Sequence, residues 1–441
     1  MKNYNYFKLK TIFFVGIGGI SMSGLCKLTK FLGADVMGSD ISNNDETRAL
    51  QDMGITVFHQ HDEKNISSKI DMVVYSGAIK CTNPELMEAS RRGIKIMERS
   101  KFLGVISRMY TNVIAVSGTH GKTTTTAQLG YIFAKAGLNP TIHLGGESIN
   151  LNGNTIIGDN KYFICEACEY RESFKYLNPN TLLVTNVESD HLDYFKTDKR
   201  YKSAFRKIMR KSRCVIKDKS VCFKHKKSII VGKNIKAENV RYNNHGYYFD
   251  VILNKQNTGN FRLNVIGMHN ITNALFAIIT AIKYNIPIHI IKEAVSEFKG
   301  VRRRYERIGN IREVPVIIDY AHHPTEIKNS ISGIKAVYKN PLIIFQPHTY
   351  SRTLDLKNEF MEVLVDIADL ILFKTYPARE EEIIGGRAWD LYQMLGNSTH
   401  KYFDDERKLY EYAVSVNKNY DCVLILGAGD LAVRFAKILD A

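Results

Sequence analysis

A lysine and four threonines, Lys122-Thr123-Thr124-Thr125-Thr126, stand directly behind Gly118-Thr119-His120-Gly121 in this chain of 441 residues. Glycines let backbone N–H groups approach an anion closely. The N-terminus of a following helix adds the positive end of its dipole, and the ammonium and hydroxyls complete a polyphosphate cradle. A β-branched strand, Val113–Val116, precedes the loop, and an apolar helix expected from Leu129 to Ala134 follows it. With strand before and helix after, a chance Gly-Lys-Thr in a surface turn is a poor explanation. The loop is short: Gly118 and Gly121 enclose two residues where the common phosphate loop has four, and Val116 stands where the longer loop would need glycine. The reading is a nucleoside-triphosphate site built on an abbreviated loop.

Other chemistry-bearing residues fall just after apolar runs. Glu166 follows Tyr162–Cys165, and Asn186-Val187-Glu188-Ser189-Asp190-His191 follows Leu182–Thr185. The carboxyl ends of parallel strands are where ligands bind in such sheets. Glu166, His191 and the Thr123 hydroxyl at that edge fit Mg²⁺, which takes few protein ligands and keeps phosphate oxygens; solvated loop residues are the bland alternative. Near the N-terminus, Gly16-Ile17-Gly18-Gly19-Ile20-Ser21-Met22-Ser23-Gly24 follows a strand and Asp40 ends the next. This approximates a dinucleotide fingerprint with Ser21 in place of the third glycine. Taken alone it leaves a nicotinamide cofactor, another nucleotide diphosphate, or a structural turn open. Further on come Arg302-Arg303-Arg304, Asp319-Tyr320-Ala321-His322-His323-Pro324, Phe345-Gln346-Pro347-His348-Thr349-Tyr350-Ser351-Arg352 and Tyr376-Pro377-Ala378-Arg379-Glu380. Arginine's planar fork suits carboxylate and phosphate, and His and Arg at three successive strand ends read as the wall of a site.

Positioning these groups takes three α/β units without repeats or low-complexity linkers, hinged near 107 and 301. The expected domains are 1–107, 108–301 and 302–441. In the first, strands at 11–15, 35–37, 55–58, 72–75 and 95–97 alternate with helices at 20–32, 45–53 and 84–92, predicting a doubly wound, Rossmann-like parallel sheet. The second begins at the phosphate-loop strand and includes strands at 161–165 and 181–185, a hairpin at 247–253 and 260–265, and a long apolar helix at 271–284, as a mixed α/β ATPase-like domain. The third, again Rossmann-like, has strands at 314–318, 342–345, 370–373 and 423–426.

The net charge of +16 and pI near 9.3 admit a nucleic-acid binder or an enzyme of polyanionic small molecules. Lys199, Lys202, Arg206 and Arg210 recur at helical spacing, as on a solvated helix face. A nucleic-acid-driven ATPase would need a longer phosphate loop, and a nicotinamide dehydrogenase would leave the loop unexplained. Seven scattered cysteines point to a reducing cytoplasm rather than a disulfide framework. Cys165 and Cys168 lack a second pair at zinc spacing and read as core residues. Glycines at 16, 18 and 19 break the N-terminal apolar run, which excludes a signal peptide, and no stretch of 18 apolar residues predicts a membrane span.

Taken together, G-I-G-G-I at 16–20, G-T-H-G-K-T-T-T-T at 118–126, E-A-C-E-Y at 166–170, D-H-L-D-Y at 190–194, G-M-H-N at 267–270, D-Y-A-H-H-P at 319–324, F-Q-P-H-T-Y-S-R at 345–352 and Y-P-A-R-E at 376–380 resemble the Mur ligases over essentially the whole chain. The resemblance implies a cytoplasmic, ATP- and Mg²⁺-dependent amide ligase of cell-wall synthesis, monomeric or weakly dimeric, with neither nucleic acid nor membrane as partner. It implies UDP-N-acetylmuramate and L-alanine as substrates; a sibling activity, adding a preformed peptide to the same nucleotide sugar, is the alternative. Gly16, Gly18, Gly19, Ile20, Ser21, Ser23, Asp40 and Ser76 would then hold the UDP-sugar. Gly118, Thr119, His120, Gly121, Lys122, Thr123 and Thr124 would hold the phosphates of ATP, Asn270 its adenine, Asp319 its ribose and Arg304 its γ-phosphate. Thr123, Glu166 and His191 would hold magnesium, and Tyr320, His322, His348 and Arg352 the amino acid. Lys122, Glu166, His191 and Arg304 carry the expected catalytic roles. Two departures stand out: Ser21 replaces a glycine of many relatives, and Arg206 is the estimated counterpart of a lysine that several Mur ligases carbamylate, a modification arginine cannot take.

Overall fold

The computed structural model describes residues 6–243, 246–396 and 399–440. Its N-terminal sheet has five parallel strands, β1 (Thr11–Val15), β2 (Asp35–Ser39), β3 (Thr56–Phe58), β4 (Met72–Tyr75) and β5 (Lys95–Glu98), in the order β3-β2-β1-β4-β5. Helices α1 (Ile20–Phe31), α2 (Asp45–Asp52), α3 (Pro84–Arg91) and α4 (Arg99–Ser107) connect or follow them. Both faces are covered, so β1 reads as one apolar run: Ile12 and Phe14 join one core cluster, Phe13 and Val15 the other. Local signals set the helix starts. Asn44 makes a capping box with Thr47, and Asn83 caps α3 ahead of Pro84.

The central sheet has ten strands, β6 (Asn112–Ser117), β7 (Thr141–Ser148), β8 (Gly153–Ile156), β9 (Tyr162–Glu166), β10 (Thr181–Val184), β11 (Cys214–Asp218), β12 (Ser228–Val231), β13 (Ile235–Asn243), β14 (Gly246–Leu253) and β15 (Gln256–Leu263). Their order is β15-β14-β13-β12-β11-β10-β6-β9-β7-β8. β6 lies between β10 and β9, parallel to both, so the ends of all three strands share one edge. α5 (Lys122–Lys135) starts at the loop lysine itself. Ile114, Val116 and Leu183 face the cluster under α5 and the helix Met268–Lys283. Val113, Ala115, Leu182 and Val184 face a cluster that runs on through Phe102, Phe14 and Phe7 into the N-terminal sheet. The expected hairpin is present as β14–β15, with β13 extending it, but the sequence reading missed β7, β8, β11, β12 and β13. The helices expected at 129–134 and 271–284 begin earlier, at Lys122 and Met268.

The C-terminal sheet holds β16 (Glu306–Ile311), β17 (Val314–Asp319), β18 (Pro341–Phe345), β19 (Leu370–Phe373), β20 (Lys401–Phe403) and β21 (Cys422–Leu426), in the order β16-β17-β21-β18-β19-β20. Only the β16 edge is antiparallel. Alternate residues of its strands enter two clusters, Ile317, Ile343 and Leu424 on one face, Ile318, Ile344 and Val423 on the other. Among the described residues no helix is long and apolar enough to cross a membrane.

Candidate active site

Strand β6 ends in a loop with no room for side chains at its glycines. Gly118 has φ +139°, and a Cβ there would lie 2.0 Å from Oγ1 of Thr185; Gly121 has φ +81° and would meet Oδ1 of Asn273 at 2.5 Å. The segment after β10 braces the loop. The His120 N–H donates to Oδ1 of Asn186 (2.9 Å), the Thr185 hydroxyl donates to the His120 carbonyl (2.6 Å), and the Glu188 N–H donates to Oγ1 of Thr119 (2.9 Å). Over this cradle the Lys122 ammonium donates to the carbonyls of Gly118 (2.6 Å) and Thr119 (2.8 Å) and to Glu169 (3.1 Å). Burial opposes the lysine's charge, but Glu169 outweighs it and holds the pKa above its ordinary value.

Glu169, which sequence reasoning quoted within a motif but did not single out, is 1% exposed. It joins Lys122 to His191, whose Nε2 stands 3.5 Å from its Oε1 and 3.6 Å from Oδ2 of Asp190. Glu166 forms a neighbouring unit: it accepts from the Gly145 N–H at 2.6 Å and from the Thr123 hydroxyl, and burial raises its pKa. Carboxylate and hydroxyl oxygens at a phosphate loop are the hard donors Mg²⁺ takes, so Thr123 and Glu166 fit that ion. A different trio, His120, Glu188 and His323, brings three ligand atoms within 4.8 Å of one another. Its hydrogen bonds argue against a metal. Nδ1 of His323 accepts the Thr325 N–H (3.3 Å), leaving the ring proton on Nε2. Burial works against charge on His120, but Glu326 and Glu188 raise its pKa to about 9. A cation between carboxylates is not a ligand lone pair.

A cavity of about 260 Å³ opens between the central and C-terminal units, lined by His120, Thr124, Asn270, Arg304 and Asp319 among others. Asn270 is 5% exposed and ties itself to the Ile266 carbonyl (2.6 Å) and to Asn273 (3.0 Å). Asp319 accepts from the backbone of Ala321 (2.8 Å) and Tyr305 (3.1 Å). The Arg304 guanidinium lies 5.1 Å from the Tyr320 ring centre.

A second pocket, of about 240 Å³, is lined by Tyr170, Asp190, His191, His348, Arg352 and Glu380, with five neighbours. Arg352 donates to Nδ1 of His348 (3.3 Å), stands 3.6 Å from Asp190, and keeps a buried Nε–H without a partner. Burial and then Arg352 push the His348 pKa down to about 4, so it is neutral. The four residues expected around the amino acid therefore divide. His348 and Arg352 line the pocket; Tyr320 and His322 do not, since His322 turns Nδ1 to the Tyr320 carbonyl (2.9 Å).

A cavity of about 1010 Å³ is lined by Ser76, Arg91 and Arg99 of the N-terminal unit, Tyr170 and Arg171 of the central one, and Arg379 of the C-terminal one, with others between. Gly16 to Ser23 are not on its lining, and the side chains of Ser21, Ser23 and Asp40 have partners within the protein. The Ser21 hydroxyl takes a hydrogen bond from Arg99 (3.0 Å) and shares another with Nε2 of His143 (2.9 Å), whose Nδ1 is hydrogen-bonded to the Thr155 hydroxyl (3.0 Å). Ser23 is fully buried, its hydroxyl between the Ile20 carbonyl and Glu46. Asp40 accepts from the N–H groups of Gly18 and Ser42, both at 2.9 Å, and so shapes the turn. Gly19 and Ile20 are exposed at the start of α1. Arg206 is exposed too, its guanidinium over the Phe223 ring. Arg99 was findable, since it directly follows β5; Arg91 on its helix gave no such signal.

Three α/β units around a phosphate loop, an arginine-lined cleft and a small pocket define a nucleotide-dependent ligase architecture, and family comparison agrees. The Mur ligase family catalytic domain matches residues 11–111, the Mur ligase middle domain 116–281, and the Mur ligase glutamate ligase domain 303–429. The chain belongs to the Mur ligase family. It is 40% identical to the UDP-N-acetylmuramate–L-alanine ligase of Caldicellulosiruptor saccharolyticus, across 98% of this chain and 99% of that one. The crystal structure of the UDP-N-acetylmuramate-alanine ligase MurC from Thermotoga maritima superposes with a TM-score of 0.82 at 30% identity, covering 98% of each chain. The murein peptide ligase mpl from Psychrobacter arcticus, at TM-score 0.71 and 24% identity over 98% of each chain, shares the fold.

Proposed function

We propose that this chain joins L-alanine to the lactyl carboxylate of UDP-N-acetylmuramate with cleavage of ATP to ADP and phosphate, in the cytoplasm, as a step of peptidoglycan synthesis. The observation that carries the reading is Tyr170, which lines both the large arginine-walled cavity and the small Arg352 pocket. It lies one residue from Glu169, the partner of the loop lysine. A nucleotide sugar in the first cavity and an amino acid in the second would meet beside the phosphate loop.

An amine does not displace oxide from a carboxylate, so ATP supplies the leaving group. A lactyl carboxylate oxygen attacks the γ-phosphorus in line, ADP departs, and the acyl phosphate forms. The neutral amine of alanine attacks its carbonyl and phosphate leaves. Lys122 and Arg304 stabilise the charge on the transferring phosphoryl group. Mg²⁺, for which Thr123, Glu166 and His191 are the assigned ligands, would neutralise phosphate oxygens when bound. Asn270 and Asp319 are assigned to adenine and ribose, the start of α1 at Gly19 and Ile20, with Ser76, to the UDP-sugar, and the unpartnered Nε of Arg352, with His348 behind it, to the alanine carboxylate. The domains of this reading are 1–107, 108–301 and 302–441, in a monomer or weak homodimer.

The alternative, addition of a ready-made peptide, sits less well with a pocket of about 240 Å³, below the size that holds drug-like ligands. Phosphate release measured over a panel of amino acids and short peptides, each with UDP-N-acetylmuramate and ATP, decides. The expected result is turnover with L-alanine only when all three substrates are present. Turnover restricted to peptides, or ADP release driven by DNA, overturns the reading.

A further inference from the structure

Glu326 sits at the third position of the helix Pro324–Lys335, capped by His323. The helix dipole favours a carboxylate there, yet this one is turned from water, its side chain 11% exposed. Groups from two units share it. Oε1 accepts from Nδ1 of His120 in the phosphate loop at 3.1 Å, a hydrogen bond between residues 206 positions apart. Oε2 accepts from the His322 N–H at 3.2 Å. Burial opposes charge on this carboxylate, but His322, His120 and Arg304 overcome it and hold the pKa well below the usual range.

Arg304 is held in another way. Its nearest carboxylate oxygens, on Glu326 and Asp319, are 3.8 and 3.9 Å away, beyond hydrogen-bond distance. Those charges orient the guanidinium without occupying its donors, which stay available to a further anion in the cavity that Arg304, His120 and Glu326 all line. We propose that Glu326 is a positioning residue for phosphoryl transfer: by fastening the phosphate loop, through His120, to the unit that carries Arg304, it makes the arginine and Lys122 face the same terminal phosphate. This rests on the loop at 118–122 being the ATP site.

The test is a double-variant cycle on the full chain, with two readouts. One is binding of a fluorescent ATP analogue with Mg²⁺; the other is steady-state phosphate release with UDP-N-acetylmuramate and L-alanine, or with whichever acceptor supports turnover. Glu326→Ala and His120→Ala should each lower kcat by about 10- to 100-fold, and the double variant should be no worse than the worse single one, because residues in one network do not add. The KM for the nucleotide sugar should stay within about twofold. Glu326→Gln keeps an oxygen that accepts from His120 and should recover most of the lost kcat. Should Glu326→Ala fail to fold, Glu326→Met, of similar length and without an acceptor, takes its place. Losses that multiply in the double variant, an unchanged kcat in Glu326→Ala, or a Gln variant no better than Ala overturn the proposal. Failure of the wild type to bind the analogue would instead sink the ATP reading itself.

Discussion

Each acceptor around Lys122 is protein: two loop carbonyls and Glu169. The ammonium is thus held over the cradle in a fixed place, and a phosphate entering it meets a preorganised charge instead of a flexible one. Lys122→Ala should lower kcat by about 10²- to 10³-fold, the usual cost of removing one such donor, and should lower the melting temperature as well, because it leaves the buried Glu169 carboxylate without its partner; phosphate release and thermal melts check both. At the other substrate, Arg352→Lys keeps the charge but loses the fork and its Nε donor. The KM for the amino acid should rise by about tenfold or more with the KM for ATP unchanged. Lys122, Thr123 and Arg352 were legible because adjacent residues surround them with a recognisable strand–loop–helix or strand-end pattern. Glu169 and Glu326 were not singled out, because what they do depends on partners 47 and 206 positions away, brought near by sheet register and by the meeting of two units.

Helix α1 shows the same limit one scale up. Its start was read from a glycine-rich turn after a strand, which sets the helix but not its neighbour. That neighbour is the β7–β8 hairpin, unread because Gly145 and Gly146 break the alternation that marks a strand. The parallel strands β1, β4, β10 and β19 stood out by contrast as unbroken apolar runs between turns. The docking is close. A Cβ on Gly24 would come within 2.1 Å of Oγ1 of Thr155 and 3.1 Å of the His143 ring, and the relay from Arg99 through Ser21 and His143 crosses the same seam. Gly24→Ala should therefore cost about 1–3 kcal/mol of stability through overpacking, read by denaturant unfolding. It should also raise the KM for the nucleotide sugar, because displaced α1 pulls Ser21 from Arg99 on the cavity wall.

Across the whole molecule, the units meet through buried histidines in opposite charge states, and this sets the pH range of stability. Burial, followed by nearby arginines or by what the carboxylates fail to offset, drives His143 and His322 down to about 3 and His269 and His348 to about 4. Such a ring is neutral in the fold but binds a proton once unfolded below about pH 6.5. The unfolded state then holds more protons, so their stabilisation is complete above pH 6.5 and falls as pH drops towards 3. His120 works in reverse. Glu326 and Glu188 prevail over burial to keep it charged to about pH 9; its contribution is complete below pH 6.5 and is lost as pH rises through 9. Melting temperature should accordingly peak near pH 6.5 and fall on both sides. His143→Gln should flatten the acid limb and leave the alkaline one. His120→Gln should flatten the alkaline limb, removing on the order of 2 kcal/mol of pH dependence between pH 6.5 and 9. A His120→Gln curve parallel to wild type above pH 6.5 would mean that this histidine is uncharged in the fold and that the link from the phosphate loop to Glu326 is an ordinary neutral hydrogen bond.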